Sequence, residues 1–208
     1  GAAAVIDGGI TLSDLDDTNL VGAVVSIASA DFVAGDSLGF SAQSGISGSY
    51  NAATGVLTLS GTATVAQYQA ALRSVTFSST SDDPTVNNTR LSRSISWLVT
   101  DANSDAVGAL TSAVVTSTVN VTAVNDRPVA TAGSSLLYTE QGAAAVIDGG
   151  ITLSDLDDTQ IASAVVTIAS VVSGDTLSFV NPTPTDGSGV YGLISGSYNA
   201  ATGVLTLS

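Results

Sequence analysis

Along most of the chain, apolar residues alternate with small or hydroxyl-bearing residues. The pattern is clearest in three segments rich in Val, Ile and Thr, which are VVSIAS (24–29), SVTFSS (74–79) and SISWLVTD (94–101). A period of two places successive side chains on opposite faces of a β-strand, so that one face of each strand is apolar. Turn residues separate these segments at short intervals, which is typical of an antiparallel β-sandwich. The pattern therefore predicts an all-β fold.

Two local signals add detail to this prediction. The segment SYNAATGVLTLS (49–60) predicts a hairpin whose turn, Asn51–Gly55, ends on a glycine at positive φ. A short helix is predicted over 64–75, where apolar residues recur at helical spacing: Val65, Tyr68, Ala71 and Leu72.

The single tryptophan, Trp97, lies in the alternating segment SISWLV. Because its neighbours alternate as they do in a buried strand, we expect it to pack in the core and not to stack on a ligand. Phe77, Tyr68 and Leu98 are expected to pack with it.

The chain repeats itself. Residues 1–18 recur unchanged at 142–159, and residues 46–60 recur unchanged at 194–208. The joint between the copies is VNDRP (124–128), which divides the chain into a first unit, 1–125, and a second unit, 126–208. The first lacks the opening segment of the second, and the second holds only the first half of a unit. We therefore expect tandem antiparallel β-sandwich repeats, with one short helix per unit, cut from a longer array.

Composition excludes several classes of function. The chain has no His, Cys, Lys or Met, and its formal net charge is -14. It therefore offers no thiol nucleophile, no imidazole base and no ordinary zinc site, and its charge would repel nucleic acid. No apolar stretch reaches the roughly 18 residues that a membrane-spanning helix needs, so membrane insertion is not expected. A glycosidase needs two carboxyl groups across a sugar cleft, one with a raised pKa; a duplicated Asp cluster and one Glu do not match this. We expect a protein that is not an enzyme.

The aspartates form the candidate chemistry. Ser13-Asp-Leu-Asp-Asp17 recurs at 154–158. In an extended segment Asp14 and Asp16 point to the same side, as do Asp155 and Asp157, and such close carboxylates repel each other unless a cation lies between them. Calcium takes about six to eight oxygen ligands and tolerates irregular geometry. We therefore predict calcium at both pairs.

The other candidate residues divide into two groups. Further calcium ligands are predicted from the stretch after the Trp97 strand, from the joint and from the only glutamate: Asp101, Asp105, Asn125, Asp126 and Glu140. The remaining candidates are interpreted as turn or solvated-surface residues: Asp7, Asp31, Asp36, Asp82, Asp83 and Asp186.

Together, SDLDD (13–17), TDANSD (100–105) and VNDRP (124–128) resemble motifs of cadherin-like repeats, and the longer strings resemble repeats of giant bacterial surface proteins and adhesins. The resemblance covers essentially the whole chain. It implies immunoglobulin-like sandwiches strung end to end, with calcium at the junctions, in a protein that is secreted or displayed on a bacterial surface.

The resemblance also assigns roles by motif. Asn125 and Asp126 fall at the linker, Asp155 and Asp157 on the incoming unit, and Glu140 near the start of a unit. The resemblance also implies that Asp14, Asp16 and Asp101 serve the upstream joint. The joint NDRP is poorer in acids than the cadherin linker and contains Arg127, so fewer ions per junction are expected.

Three functions remain open on this basis. The first is a calcium-stiffened structural spacer of an extracellular adhesin or filament, acting in cell adhesion or biofilm, with neighbouring repeats as its partners. The second is a module that binds carbohydrate or a partner protein through the loop 180–193, which differs between the copies. The third is a fibre subunit that assembles by strand exchange between identical chains.

Overall fold

The computed structural model describes residues 1–103, 106–180 and 194–208, which divide into two compact units, Gly1–Arg127 and Pro128–Ser208. The boundary lies two residues beyond the one placed from the sequence. The two units are called unit 1 and unit 2.

Unit 1 is a β-sandwich with one helix. Its elements in chain order are β1 (Ala4–Val5), β2 (Asn19–Ile27), β3 (Asp36–Gly39), β4 (Ser47–Asn51), β5 (Val56–Thr64), α1 (Val65–Arg73), β6 (Thr76–Ser79), β7 (Ser92–Asp101) and β8 (Val115–Asn120). One antiparallel sheet has the strand order β4-β5-β2-β7-β8, and the other has the order β1-β6-β3. The apolar faces of both sheets contribute to one core, as predicted for a sandwich.

Strand β2 is the centre of the larger sheet because β5 and β7 pair along its two edges. Val25 and Ile27 point into the core from it, and Trp97 faces them from β7 with only 1% of its surface exposed. The Trp97 indole N–H donates to Ser117 Oγ at 3.0 Å, so its one polar atom is satisfied. The predicted core position of Trp97 is confirmed. That of Leu98 is wrong, because the adjacent residue of a strand faces the other way and Leu98 is only half-buried.

Helix α1 follows the predicted pattern. Thr64 caps it: its hydroxyl accepts from the Gln67 backbone N–H at 3.2 Å, while the Gln67 side chain accepts from the Thr64 N–H at 2.9 Å. This reciprocal pair satisfies two N–H groups that a helix start leaves unpaired. Tyr68, Ala71 and Leu72 are buried against the sheets. The predicted helix is confirmed, with ends one or two residues inside the predicted range.

Unit 2 repeats part of this arrangement. Its strands are β9 (Val129–Thr131), β10 (Thr152–Ser154), β11 (Ala164–Thr167), β12 (Gly196–Asn199) and β13 (Val204–Leu207). The order β11-β13-β12 matches β2-β5-β4 of unit 1, and β9 pairs with β10 in a separate ladder. The hairpin turn predicted from the sequence is present in both units, with Gly55 and Gly203 each at φ +69°. The helix lies in unit 1, and no helix is found in the described part of unit 2.

Candidate metal centre

The segment 13–17 forms a tight turn that gathers three carboxylates. Asp14 Oδ1 accepts hydrogen bonds from the backbone N–H groups of Asp17 at 2.9 Å and of Asp16 at 3.3 Å. The expectation of an extended segment is therefore wrong, because an Asp side chain competes for nearby backbone N–H groups and bends the chain. The turn still brings one carboxylate oxygen each of Asp14, Asp16 and Asp17 within 4.8 Å of one another. Asp17 was not among the predicted ligands.

The same cluster forms again in unit 2. Asp155 Oδ1 accepts from the N–H groups of Asp157 and Asp158, both at 3.2 Å, and one oxygen each of Asp155, Asp157 and Asp158 lies within 4.8 Å of the others. Since the identical pentapeptide gives the same turn in two surroundings, the turn is encoded locally. We call these groups acidic cluster 1 (Asp14, Asp16, Asp17) and acidic cluster 2 (Asp155, Asp157, Asp158).

Hydrogen bonding keeps the leading carboxylate of each cluster charged. The backbone N–H groups of Asp17 and Asp16 hold the pKa of Asp14 below its ordinary value. At Asp155 partial desolvation acts to raise the pKa, but the hydrogen bonds from the Asp158 and Asp157 backbone outweigh it, and the net shift is downward. Each cluster therefore presents ionised oxygens at neutral pH.

The donor set fits a hard divalent cation. Calcium binds oxygens at about 2.3–2.6 Å, so two of its ligands lie at most about 5 Å apart, which the spacing in both clusters meets. Three carboxylates supply three to six of the required oxygens, and backbone carbonyls or water would complete the shell. Exposed acidic groups also occur without an ion, so the geometry permits calcium without requiring it.

Asp101, a predicted ligand, closes a loop, and its role as a ligand stays a prediction. It is the last residue of β7, and its carboxylate accepts from the Asn103 N–H at 3.1 Å and from the Leu110 N–H at 2.9 Å. Its backbone pairs with Leu20 at the start of β2, the strand that the turn of acidic cluster 1 leads into. Asp101 therefore lies at that end of the larger sheet without joining the cluster. Asp105 falls outside the described residues.

The three other predicted ligands come later in the chain, two at the end of unit 1 and one in unit 2. In unit 1, Asn125 is exposed and its side-chain amide donates to the Asp126 carbonyl at 2.7 Å, while Asp126 is half-buried. In unit 2, Glu140 is exposed in a turn closed by the Gly142 N–H and the Thr139 carbonyl at 2.9 Å. Their roles at a junction stay predictions.

One aspartate interpreted as a surface residue is buried. Asp36 is 2% exposed and pairs with Arg93, also fully buried, at an Nε–Oδ2 distance of 2.6 Å. The rest of the Arg93 guanidinium donates to the carbonyls of Pro84, Arg90 and Ser92. The interpretation of Asp36 is wrong. The signal that could have found the pair is that Arg93 occupies the inward-facing register of Ile95 and Trp97 in β7.

Asp7 and its repeat, Asp148, have different partners. Asp7 accepts from the Gly9 N–H at 2.9 Å and from Ser117 Oγ at 2.8 Å, and the Ser117 bond is the main cause that lowers its pKa. Asp148 accepts four hydrogen bonds, from Gly133 N, Ser134 N, Gly150 N and Ser134 Oγ. The backbone N–H of Gly133 contributes most to holding the pKa of Asp148 far below its usual range. Each aspartate joins distant segments of its unit.

Almost all of the variable loop proposed for ligand binding, 180–193, lies outside the residues that the structure describes. Val180 is exposed, and residues 181–193 fall outside the described residues, so carbohydrate or partner binding there stays a prediction. Among the residues that are described, none of the helices has the length and apolar character needed to cross a membrane.

Comparison with known proteins gives one partial similarity. No family model matches the chain, and no solved structure matches it significantly. A stretch of 83 residues, 38% of the chain, is 40% identical to part of halomucin from Haloquadratum walsbyi. This stretch corresponds to 1% of the length of halomucin.

Proposed function

We propose that the chain is part of a tandem-repeat protein of the cell surface, and that acidic clusters 1 and 2 each bind calcium and stiffen their repeat. The observation that carries the proposal is the duplicated turn that holds three carboxylates within 4.8 Å. The carboxylates of such a cluster repel one another unless a cation is present, and extracellular calcium modules bind at about 10⁻⁴ to 10⁻³ M.

The surface location rests on the comparison. Halomucin is a large surface glycoprotein of an archaeon, and its partial similarity to this chain supports an extracellular repeat. A bacterial host, a cadherin-like family and a role in adhesion or biofilm are finer predictions drawn from the sequence motifs. The organism of the matched protein is archaeal, so the similarity favours no bacterial host.

The proposed role is mechanical and not catalytic. Without His, Cys or Lys, the chain has few groups for proton transfer or nucleophilic attack near neutral pH. In the proposal, an ion at each cluster fixes the path of the chain into the next strand, β2 in unit 1, because the turn immediately precedes it. The partners would be neighbouring repeats of the same or identical chains.

Calcium titration by isothermal calorimetry tests the proposal. The variant Asp14→Asn/Asp16→Asn removes charge from acidic cluster 1, and the amide oxygen that it introduces at position 14 still accepts the hydrogen bonds that shape the turn. Asp155→Asn/Asp157→Asn is the matched change in acidic cluster 2. The wild type should bind two ions per chain, each double variant one, and the quadruple variant none.

Asp82→Asn is the control, because Asp82 is exposed and belongs to neither cluster. It should leave both sites intact. Equal calcium binding by the wild type and the quadruple variant would contradict the proposal, whatever the affinity.

A further inference from the structure

Two segments of the chain match the Asn-x-Ser/Thr sequon, the acceptor motif for N-linked glycans in exported proteins. They are Asn87-Asn-Thr89 and Asn120-Val-Thr122. A third match, Asn181-Pro-Thr183, is excluded because proline occupies its middle position. Serine and threonine are abundant in this chain, so some matches arise by chance, and the structural setting of each sequon has to distinguish them.

The first sequon lies at the tip of the loop between β6 and β7, and the interior of unit 1 holds the base of this loop. The buried Arg93 guanidinium donates to the carbonyls of Pro84 and Arg90. The Arg90 N–H donates to the Thr85 carbonyl at 2.7 Å, and Thr85 is only 1% exposed. The tip, 86–89, is exposed throughout. The loop is therefore fixed from inside and presents its tip to solvent.

The tip has an unusual backbone. Val86, Asn87 and Asn88 have φ values of 49°, 51° and 64°, a conformation that asparagine tolerates and a β-branched residue rarely adopts. The Asp83 carboxylate accepts from the Asn87 N–H at 2.7 Å, and the Thr89 hydroxyl donates to the Val86 carbonyl at 2.6 Å. The turn thus uses the backbone of Asn87 and leaves its side chain exposed.

Asparagines outside the sequons have a structural use for their side chains. Four of them hydrogen-bond to nearby backbone groups in turns or loops: Asn51, Asn103, Asn125 and Asn199. In the part of the chain that the structure describes, the side chain of Asn87 makes no hydrogen bond. The fold therefore does not need the Asn87 amide, and its nitrogen is accessible for a reaction.

We propose that Asn87 is a glycosylation site, which receives an N-linked glycan when the protein is exported. In this step Asn87 Nδ2 bonds to the anomeric carbon of a sugar carried on a lipid phosphate. The phosphate leaves with the electron pair of the broken C–O bond, and one amide proton passes to solvent. The site rests on the proposed extracellular location, because N-linked glycans are added to exported chains.

The second sequon has a different setting. Asn120 is the last residue of β8 and is exposed, but its backbone pairs with Ser92 of β7. A transferase binds its acceptor as a separate segment, and a loop opens from the fold more readily than a paired strand does. In the folded chain Asn87 should therefore be the preferred acceptor. A glycan at Asn120 as well would show that sugar is added before β8 pairs.

A glycan at Asn87 would lie far from acidic cluster 1. The loop that carries it leads into β7, which begins beside the end of β2 because Ile95 pairs with Ile27. Acidic cluster 1 precedes the opposite end of β2. Nine residues of strand separate the two ends by about 25 Å. Loss of the glycan should therefore leave calcium binding unchanged.

Peptide mapping by mass spectrometry tests the site on protein isolated from the cells that produce it. The chain has no lysine, and Arg127 precedes proline, so trypsin separates the two sequons. Asn87 falls on the peptide 74–90, and Asn120 on the peptide that begins at Ser94. The peptide 74–90 should carry the added mass of a glycan, and fragmentation should place that mass on Asn87.

Variants made in the same cells identify the acceptor atom. Asn87→Gln and Thr89→Ala should lose the added mass, whereas Thr89→Ser keeps the hydroxyl and should retain it. Asn88→Gln is the matched control, because it changes the neighbouring exposed amide and leaves the sequon intact. An added mass that persists in Asn87→Gln would belong to a serine or threonine hydroxyl and would overturn the site.

A protease added to intact cells separates this site from the surface location on which it rests. If the protease digests the protein and the peptide 74–90 is unmodified, the glycosylation site is overturned and the surface location stands. If intact cells protect the protein from digestion, the surface location is wrong, and an unmodified peptide then overturns both. Calcium titration of Asn87→Gln should match that of the wild type in either case.

Discussion

The chain contains the same sequence in two settings, and the two copies fold differently. Ile10 in unit 1 is 9% exposed and its counterpart Ile151 is 53% exposed. Val25 is completely buried, whereas Val166 is 40% exposed. Strand β2 has nine residues and its counterpart β11 has four. Burial and strand length are therefore not properties of these segments alone.

The difference follows from the partners within each unit. Strand β2 is paired on both edges, by β5 and β7, whereas β11 is paired only by β13. Ile10 is covered in unit 1, where Arg73 of α1 binds its carbonyl. Within the described residues, those of unit 2 include no counterparts of α1, β6, β7 and β8.

Short-range features are the same in both copies. The turns of acidic clusters 1 and 2 have the same hydrogen bonds. The tyrosine of each hairpin also makes the same contact: Tyr50 donates to the Asp36 carbonyl at 2.8 Å, and Tyr198 to the Asp175 carbonyl at 2.9 Å. The comparison shows which features are local and which need the whole sandwich.

The largest difference is expected at Asp36 and its counterpart Asp175. Both accept a backbone hydrogen bond, but only Asp36 is buried with an arginine. Asp36→Ala leaves the Arg93 charge buried without its carboxylate, which should cost unit 1 about 3–5 kcal/mol of unfolding free energy. Asp175→Ala loses one exposed hydrogen bond and should cost about 1 kcal/mol or less.

Urea unfolding measures both effects. Trp97, the only tryptophan, reports unit 1 by fluorescence, and the methyl NMR signals of Leu205 report unit 2. Similar costs for the two substitutions would show that the buried ion pair does not distinguish the units.

The second difference is expected in the repeated isoleucine. Ile10→Ala removes a side chain packed in the core and should destabilise unit 1 by about 2–4 kcal/mol. Ile151→Ala removes one that is 53% exposed and should change the unfolding free energy of unit 2 by about 1 kcal/mol at most. The same urea experiment measures both, and a large effect of Ile151→Ala would mean that unit 2 buries this residue in solution.

A smaller effect is expected at the helix, which the structure describes in unit 1. Thr64→Ala removes the hydroxyl that caps α1 and should cost about 1 kcal/mol, measured by Trp97 fluorescence in urea. Thr64→Ser keeps the hydroxyl and should retain most of the stability. If the two variants are equally destabilised, the cap contributes nothing and the methyl group is what matters.

The smallest effect concerns pH and Asp148. The pKa of Asp148 in the folded unit lies below the ordinary value of 3.8. The stability that its hydrogen bonds to the opening segment of unit 2 (129–141) contribute is therefore fully present above pH 3.8 and is lost as the pH falls below that value. The amide NMR signals of Gly133 and Ser134 should shift with a midpoint below pH 3.8. In Asp148→Asn this titration should vanish, and a midpoint at or above 3.8 in the wild type would contradict the four hydrogen bonds.

The features that could be predicted from sequence are those with a local cause. The helix follows from the helical spacing of Val65, Tyr68 and Leu72, the hairpin follows from Gly55, and the strands follow from their alternation. The proximity of Asp14 and Asp16 was also predicted, but from an extended segment, whereas the structure has a turn there. Residues two positions apart lie close together both on one face of a strand and within a tight turn. The spacing of the two aspartates therefore could not distinguish a strand from a turn.

The features that were missed depend on contacts between distant residues or on the turn itself. Asp36 and Arg93 are 57 residues apart, and Asp36 looks like any aspartate after a glycine until β3 and β7 pack together. Asp148 likewise shows its role only when the opening segment pairs with β10. Asp17 was not predicted because it breaks the strand alternation, whereas a turn brings all three acids of the cluster to one place.

The central claim is that the two acidic clusters bind calcium, and a thermal melt tests it most directly. At 10 mM calcium, a site with a dissociation constant of about 0.1–1 mM adds about 1.4–2.7 kcal/mol of stability, which corresponds to a rise of about 5–16 °C for units of this size. The melting temperature of the wild type should rise by that amount over an EDTA control, and that of the quadruple Asp→Asn variant should not. Equal shifts in both proteins, or no shift in either, would contradict the claim.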